Sequence, residues 1–188
     1  MRRSVKIQAF VEVRDLSGKV VARGKSKPNN LILDNFGTWL AGFIRAVGAG
    51  STTVSLVDSA GATQSVALIG STSQFNNTSL GSVGTKFQAG SGSTTPARAD
   101  YAITTAFATE PEKSMFDTGT GSYAVGAISV SGSITAGGSG RINEVGLFMC
   151  LYAVGAPNKY FMLFHDLISP GVDFVAAQII TVSYSITL

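Results

Sequence analysis

The chain's 188 residues suffice for one substantial domain. Hydrophobic residues make up 45% and charged residues 13%, about half the roughly 25% charge of an ordinary soluble domain, which excludes an intrinsically disordered chain. One cysteine, Cys150, excludes a disulfide framework or a cysteine zinc cluster, and one histidine, His165, removes most catalytic and metal-binding constellations. The net charge of +3 is unevenly placed. Residues 1–45 hold nine basic against three acidic side chains, +6, and the remainder five basic against eight acidic, −3. Opposite signs on the two parts would let the head of one copy attract the body of another.

Ser4 to Arg14 alternates, with Val5, Ile7, Ala9, Val11 and Val13 on one side and Lys6, Gln8, Glu12 and Arg14 on the other; only Phe10 breaks the pattern. A period of two over that length predicts a half-buried strand. Asp15-Leu16-Ser17-Gly18 predicts a turn and Lys19 to Arg23 a returning strand, so residues 1–25 read as a basic β-hairpin. Arg2, Arg3, Lys6, Arg14, Arg23, Lys25 and Lys27 are its candidate interaction residues, suited to an inter-subunit arm. They alternate with apolar residues and have only Phe10 as an aromatic, so a nucleic-acid partner is not expected. No continuous apolar core follows Met1-Arg2-Arg3, and no signal peptide is predicted.

Leu31 to Val47 is the strong helix candidate, centred on about 35–47, with Asp34 or Asn35 as cap. Phe36, Trp39, Leu40, Phe43, Ile44 and Val47 recur at helical spacing, predicting a buried amphipathic helix whose aromatic rings are core. After residue 50, eight to ten short apolar runs separated by Gly, Ser, Thr and Asn predict a β-sandwich, jelly-roll-like, forming one domain over residues 1–188. Those runs include Val83 to Phe87, Tyr101 to Ala108, Tyr123 to Ile134, Tyr160 to Phe164 and the cleanly alternating Ala177 to Leu188. Gly70 to Leu80 and Thr85 to Asp100 read as exposed loops. The longest apolar run, Val145 to Ala156, has twelve residues and is too short to span a bilayer, which needs roughly twenty.

The residues give no enzyme. His165 is followed by Asp166, but neighbours on a strand point to opposite faces and cannot form a base–orienter pair. No serine lies in a G-x-S-x-G elbow, Glu110 and Glu112 flank Pro111 in a solvated turn, and Gly81 to Lys86 lacks the phosphate-loop spacing. Cys150 lies in an apolar run and reads as a buried, inert thiol. No cofactor and no metal are expected.

Three segments in fixed order carry a resemblance. They are Asn29-Asn30-Leu31-Ile32-Leu33-Asp34-Asn35-Phe36-Gly37, then Phe87 to Tyr101 with Gly90, Gly92, Pro96 and Asp100, then Ile142-Asn143-Glu144-Val145-Gly146-Leu147-Phe148. In this order the chain resembles small tail-associated and other virion structural proteins of tailed bacteriophages and archaeal viruses. The similarity covers about Asn29 to Leu188 and leaves out the basic hairpin. It implies a non-enzymatic virion component of the tail, neck or capsid, made in the host cytoplasm. Its partners would be copies of itself and other virion proteins, met through sheet edges and apolar interfaces. Without the resemblance, Gly90, Gly92 and Pro96 shape a tight strand-to-loop exit that Asp100 caps. Glu144, inside an apolar strand, needs a partner such as Arg141, Arg98 or backbone amides. Two other classes compete: a cell-surface filament subunit donating Ser4 to Arg14 to the next copy, and a carbohydrate-binding attachment module. The latter needs Tyr101, Tyr123 and Tyr152 on an exposed face, whereas the pattern places them mostly in the core.

Overall fold

The alternating N-terminal segment forms β1 (Lys6–Arg14), with Ile7, Ala9, Val11 and Val13 buried and Lys6 and Phe10 outward. The computed structural model describes residues 6–27, 33–49, 51–69, 85–107, 116–117, 120–124, 126–154 and 158–187. β1 turns back into β2 (Val20–Lys25) through Asp15, whose Oδ1 accepts from the backbone N–H groups of Ser17 and Lys19 at 2.9 and 3.0 Å. Gly18 closes that turn at φ 83°, a conformation that favours glycine. Helix α1 (Asp34–Ala49) follows, then β3 (Ser51–Val57), β4 (Thr63–Ile69), β5 (Thr85–Gly90), β6 (Phe116–Asp117) and β7 (Thr120–Ala124). The chain continues as β8 (Ala127–Thr135), β9 (Gly140–Tyr152), β10 (Asn158–Phe174) and β11 (Ile179–Thr187).

The fold is mainly β, a sandwich of antiparallel sheets with one helix among the described residues. The first sheet runs β2-β1-β11-β8-β7, the second β10-β9-β5-β6, and β3-β4 form a separate ribbon. Neighbours in sequence pair as hairpins at β1–β2, β3–β4, β7–β8 and β9–β10, so these pairings do not show a jelly-roll order, which is built from Greek keys. The inner faces of the two large sheets share one core. Tyr184 of β11 crosses it, its ring 6.0 Å from Phe87 of β5 and 5.7 Å from Phe164 of β10. The Tyr184 hydroxyl donates to the Val145 carbonyl at 3.1 Å, and the buried Asp166 carboxylate lies beside it.

Several segments depart from the sequence-based expectation. The run expected over Val83 to Phe87 is strand from Thr85, but the loop expected from Thr85 begins only after Gly90: Thr85 to Gly90 is β5, paired along β9, with Phe87 fully buried. Its small and polar residues lower strand propensity, but pairing and burial override propensity. Tyr101 to Ala108 is not a strand; its described part is irregular and pairs with β5 in an isolated bridge, Ala106–Gly90. The strand expected over Tyr160 to Phe164 runs on to Phe174, because the pairing with β9 resumes after a register break between Leu167 and Val172. That break contains Pro170 and Gly171, the residues that mimic a terminus in the sequence. The helix is half covered, not buried. Phe36 packs 5.1 Å from Phe164, yet Ile44 is 66% and Leu40 39% exposed. Asn35 does not cap the helix: its side chain donates to Val57 O at 2.7 Å and accepts from Val57 N at 2.9 Å, tying α1 to β3.

Candidate functional site

The second sheet exposes an outer face that the loop from Ser91 to Phe107 covers, with Leu33, Ile103, Phe148 and Met162 forming a small apolar cluster beneath it. Register places Glu144 of β9 beside Gly90 of β5 and Leu167 of β10, and places Gly146 opposite His165. Glu144 and His165 are therefore diagonal neighbours on one face of the sheet. Nε2 of His165 lies 3.0 Å from Oε2 of Glu144, and Nδ1 lies 2.7 Å from Oδ2 of Asp100, which the loop supplies. A neutral imidazole has a single N–H, so two carboxylate partners require the imidazolium, which donates to both.

Glu144 is fully buried and receives the loop backbone as well. Its Oε1 accepts from the N–H groups of Gly92 at 3.0 Å and Thr105 at 2.7 Å, and its Oε2 accepts from Thr104 N–H at 2.9 Å. The glycines make room for it. A Cβ on Gly92 would overlap the Glu144 carboxylate, and one on Gly90 would sit 2.8 Å from Oε1. A Cβ on Gly146 would come within 2.8 Å of the Phe148 ring and 3.0 Å of Ile103. Asp100 caps the loop as expected, its Oδ2 also accepting from Ala97 N–H at 2.9 Å. Pro96 stands apart from the clasp, lining an open cleft of about 460 Å³ with Lys27 and Asp166.

The electrostatics follow from the geometry. Burial alone would raise the Glu144 pKa, but the His165 hydrogen bond and the Thr105 and Thr104 amides outweigh it and bring it down to about 2. Burial alone would lower the His165 pKa, yet Glu144 and Asp100 together hold it above its ordinary value. The imidazole and the glutamate side chains are 1% and 0% exposed, and each ring nitrogen of His165 faces a carboxylate. Chemically the arrangement is a clasp, joining the loop to two strands by charge-assisted hydrogen bonds.

The structure thus brings together Gly90, Gly92, Asp100, Glu144 and Gly146, five residues of the motif segments. His165 was missed as the partner of Glu144. Arg141 instead forms an ion pair with Asp173 at 2.8 Å, and Arg98 one with Asp34 at 3.1 Å. The one signal available for His165 was its strand spacing from the buried Asp166, which sets it on the opposite face. Cys150 is buried as expected, and burial pushes its thiol pKa up. Tyr101, expected in the core, is 43% exposed, because the loop carries it to the surface.

The described basic residues of β1 and β2 share the outer face of the first sheet. Arg14 and Arg23 both pair with Glu12 on the outer face of the first sheet, Lys6 and Lys25 stand on the same side, and Lys27 lies in the following loop. Arg2, Arg3 and the segment Asn29 to Ile32 lie outside the described residues. Compared with protein-family models, curated proteins and solved structures, the chain matches none.

Proposed function

We propose that the chain is a non-enzymatic structural protein of a virus particle, associated with the tail, neck or capsid. It assembles with copies of itself and with other virion proteins and carries no cofactor. The observation that carries this reading is the burial of the clasp. The second and third segments of the virion-protein resemblance meet at Glu144, where every contact serves the fold. The chain's one histidine is consumed there, and the described residues hold no group of three or more His, Cys, Asp or Glu placed for a metal.

The filament alternative loses support, because β1 pairs within the chain with β11 over nine residues and, from Phe10 to Arg14, with β2 on its other edge. A strand held on both sides has no free edge to donate. No described helix is long and apolar enough to cross a membrane. Size-exclusion chromatography with light scattering, followed by negative-stain microscopy, tests the proposal. The expected result is a discrete oligomer of two or more copies; a monodisperse monomer at high concentration, or turnover of a small molecule, would overturn it.

A further inference from the structure

The outer face of the first sheet has two chemical halves. On β1 and β2 it carries Lys6, Glu12, Arg14, Arg23 and Lys25. On β11 and β8 it carries none: register places Thr181, Ser183 and Ser185 beside Ser133, Ser131 and Ser129, and the remaining outward positions are also uncharged. The sequence has no charged residue between Asp117 and Arg141 and none after Asp173, so β7, β8 and β11 are charge-free throughout. A solvated surface carries about 25–35% charged residues, so ten outward positions on β8 and β11 without one are a marked departure. One hydroxyl pair on this face joins across strands, Ser133 Oγ lying 2.7 Å from Thr181 Oγ1, which lowers the cost of removing that pair from water. The side chains are small, so another flat surface can approach closely.

One aromatic interrupts the face. Phe10, 37% exposed, is paired with Ser183, which is paired in turn with Ser131. Phe10, Ser183 and Ser131 therefore form one row across β1, β11 and β8. A two-fold axis running along β11 between two facing copies exchanges β1 of one with β8 of the other. It sets Phe10 of each copy over Ser131 of its partner, and the charged half of each over the charge-free half of the other. No like charges meet. At strand spacings of about 4.8 Å and rises of about 3.3 Å per residue, the five strands offer about 600 Å² per copy. That reaches about 1,200 Å² in total, the lower edge of a standard stable interface.

We propose that this face is the surface on which two copies of the chain pack, sheet against sheet about a two-fold axis along β11, with Phe10 as anchor. The inference rests on the assembly reading above and specifies its surface. Sedimentation velocity on the full chain tests it, comparing the unaltered protein with Ser131→Arg, Phe10→Ser and, on a different surface, Val154→Arg. Circular dichroism and the melting temperature confirm that each variant is folded. The unaltered chain and Val154→Arg should dimerise, and Ser131→Arg and Phe10→Ser should each raise the dimer Kd by at least about 30-fold, as loss of a hot spot does. In Ser183→Cys, a position on the axis, a short bismaleimide should link two copies. Should the chain associate with undiminished affinity in both Ser131→Arg and Phe10→Ser, this face is not the interface, although assembly itself stands. A chain that is monomeric at about 100 µM would sink both.

Discussion

His165 Nε2 lies 3.0 Å from Glu144 Oε2 with both side chains buried, and the pair is completed by Asp100 on the second ring nitrogen. The loop is thereby fastened to the sheet through charge-assisted hydrogen bonds, to which the Gly92, Thr104 and Thr105 N–H groups add. Breaking a buried pair leaves an uncompensated charge, which costs more than the pair itself contributes.

Glu144→Ala should therefore destabilise the protein by about 3–5 kcal/mol. The shift of the glutamate pKa from 4.5 to about 2 corresponds to about 3 kcal/mol, in the same range. Urea unfolding at pH 6 measures the loss, and a change below 1 kcal/mol would contradict the clasp. Asp100→Asn should cost less, because Asp100 is 27% exposed and water can replace part of its bond.

The pH dependence has a definite sign at each end. The folded His165 pKa is raised above 6.5, so its contribution is fully present below pH 6.5 and is lost as pH rises through the folded value. The folded Glu144 pKa is lowered from 4.5 to about 2, so its contribution is present above pH 4.5 and is lost as pH falls toward 2. The clasp should stabilise most between about pH 4.5 and 6.5. Because His165 is the chain's one histidine, its imidazole resonance can be followed by NMR without assignment by mutation. A titration midpoint at or below 6.5 would contradict the two-carboxylate environment.

Two glycine substitutions should act in opposite directions. Gly92→Ala places a methyl group into the Glu144 carboxylate and should cost about 1–3 kcal/mol, as overpacking does. Gly37, on α1, meets nothing within 4 Å, so Gly37→Ala should stabilise by about 0.5–1 kcal/mol through helix propensity. Thermal melts of the two variants give the comparison.

Asn35→Leu removes both hydrogen bonds to the Val57 backbone and leaves that N–H and C=O unsatisfied beside the helix. A loss of about 1–3 kcal/mol per stranded group is expected, with α1 and β3 loosening first in amide exchange.

Chain pattern alone determined the mainly β class, the N-terminal hairpin, the single described helix and the closing strand, because alternation and helical spacing are local and report which side chains face the core. It also singled out Gly90, Gly92, Asp100 and Glu144, since a carboxylate in an apolar strand and glycines before a proline violate local rules that only a special site can satisfy, while Gly146 entered with the resemblance. What it left open was which groups meet. The pattern points to Arg141, Arg98 or backbone amides for Glu144 and gives no pointer to His165, for partner choice depends on strand register and on a loop returning across the sheet. Register between β9 and β10, separated from the Asp100 loop by more than forty residues, brought the imidazole to the glutamate. The same long-range pairing made a strand of Thr85 to Gly90 and carried β10 through Pro170, where burial between neighbours outweighed weak local propensity.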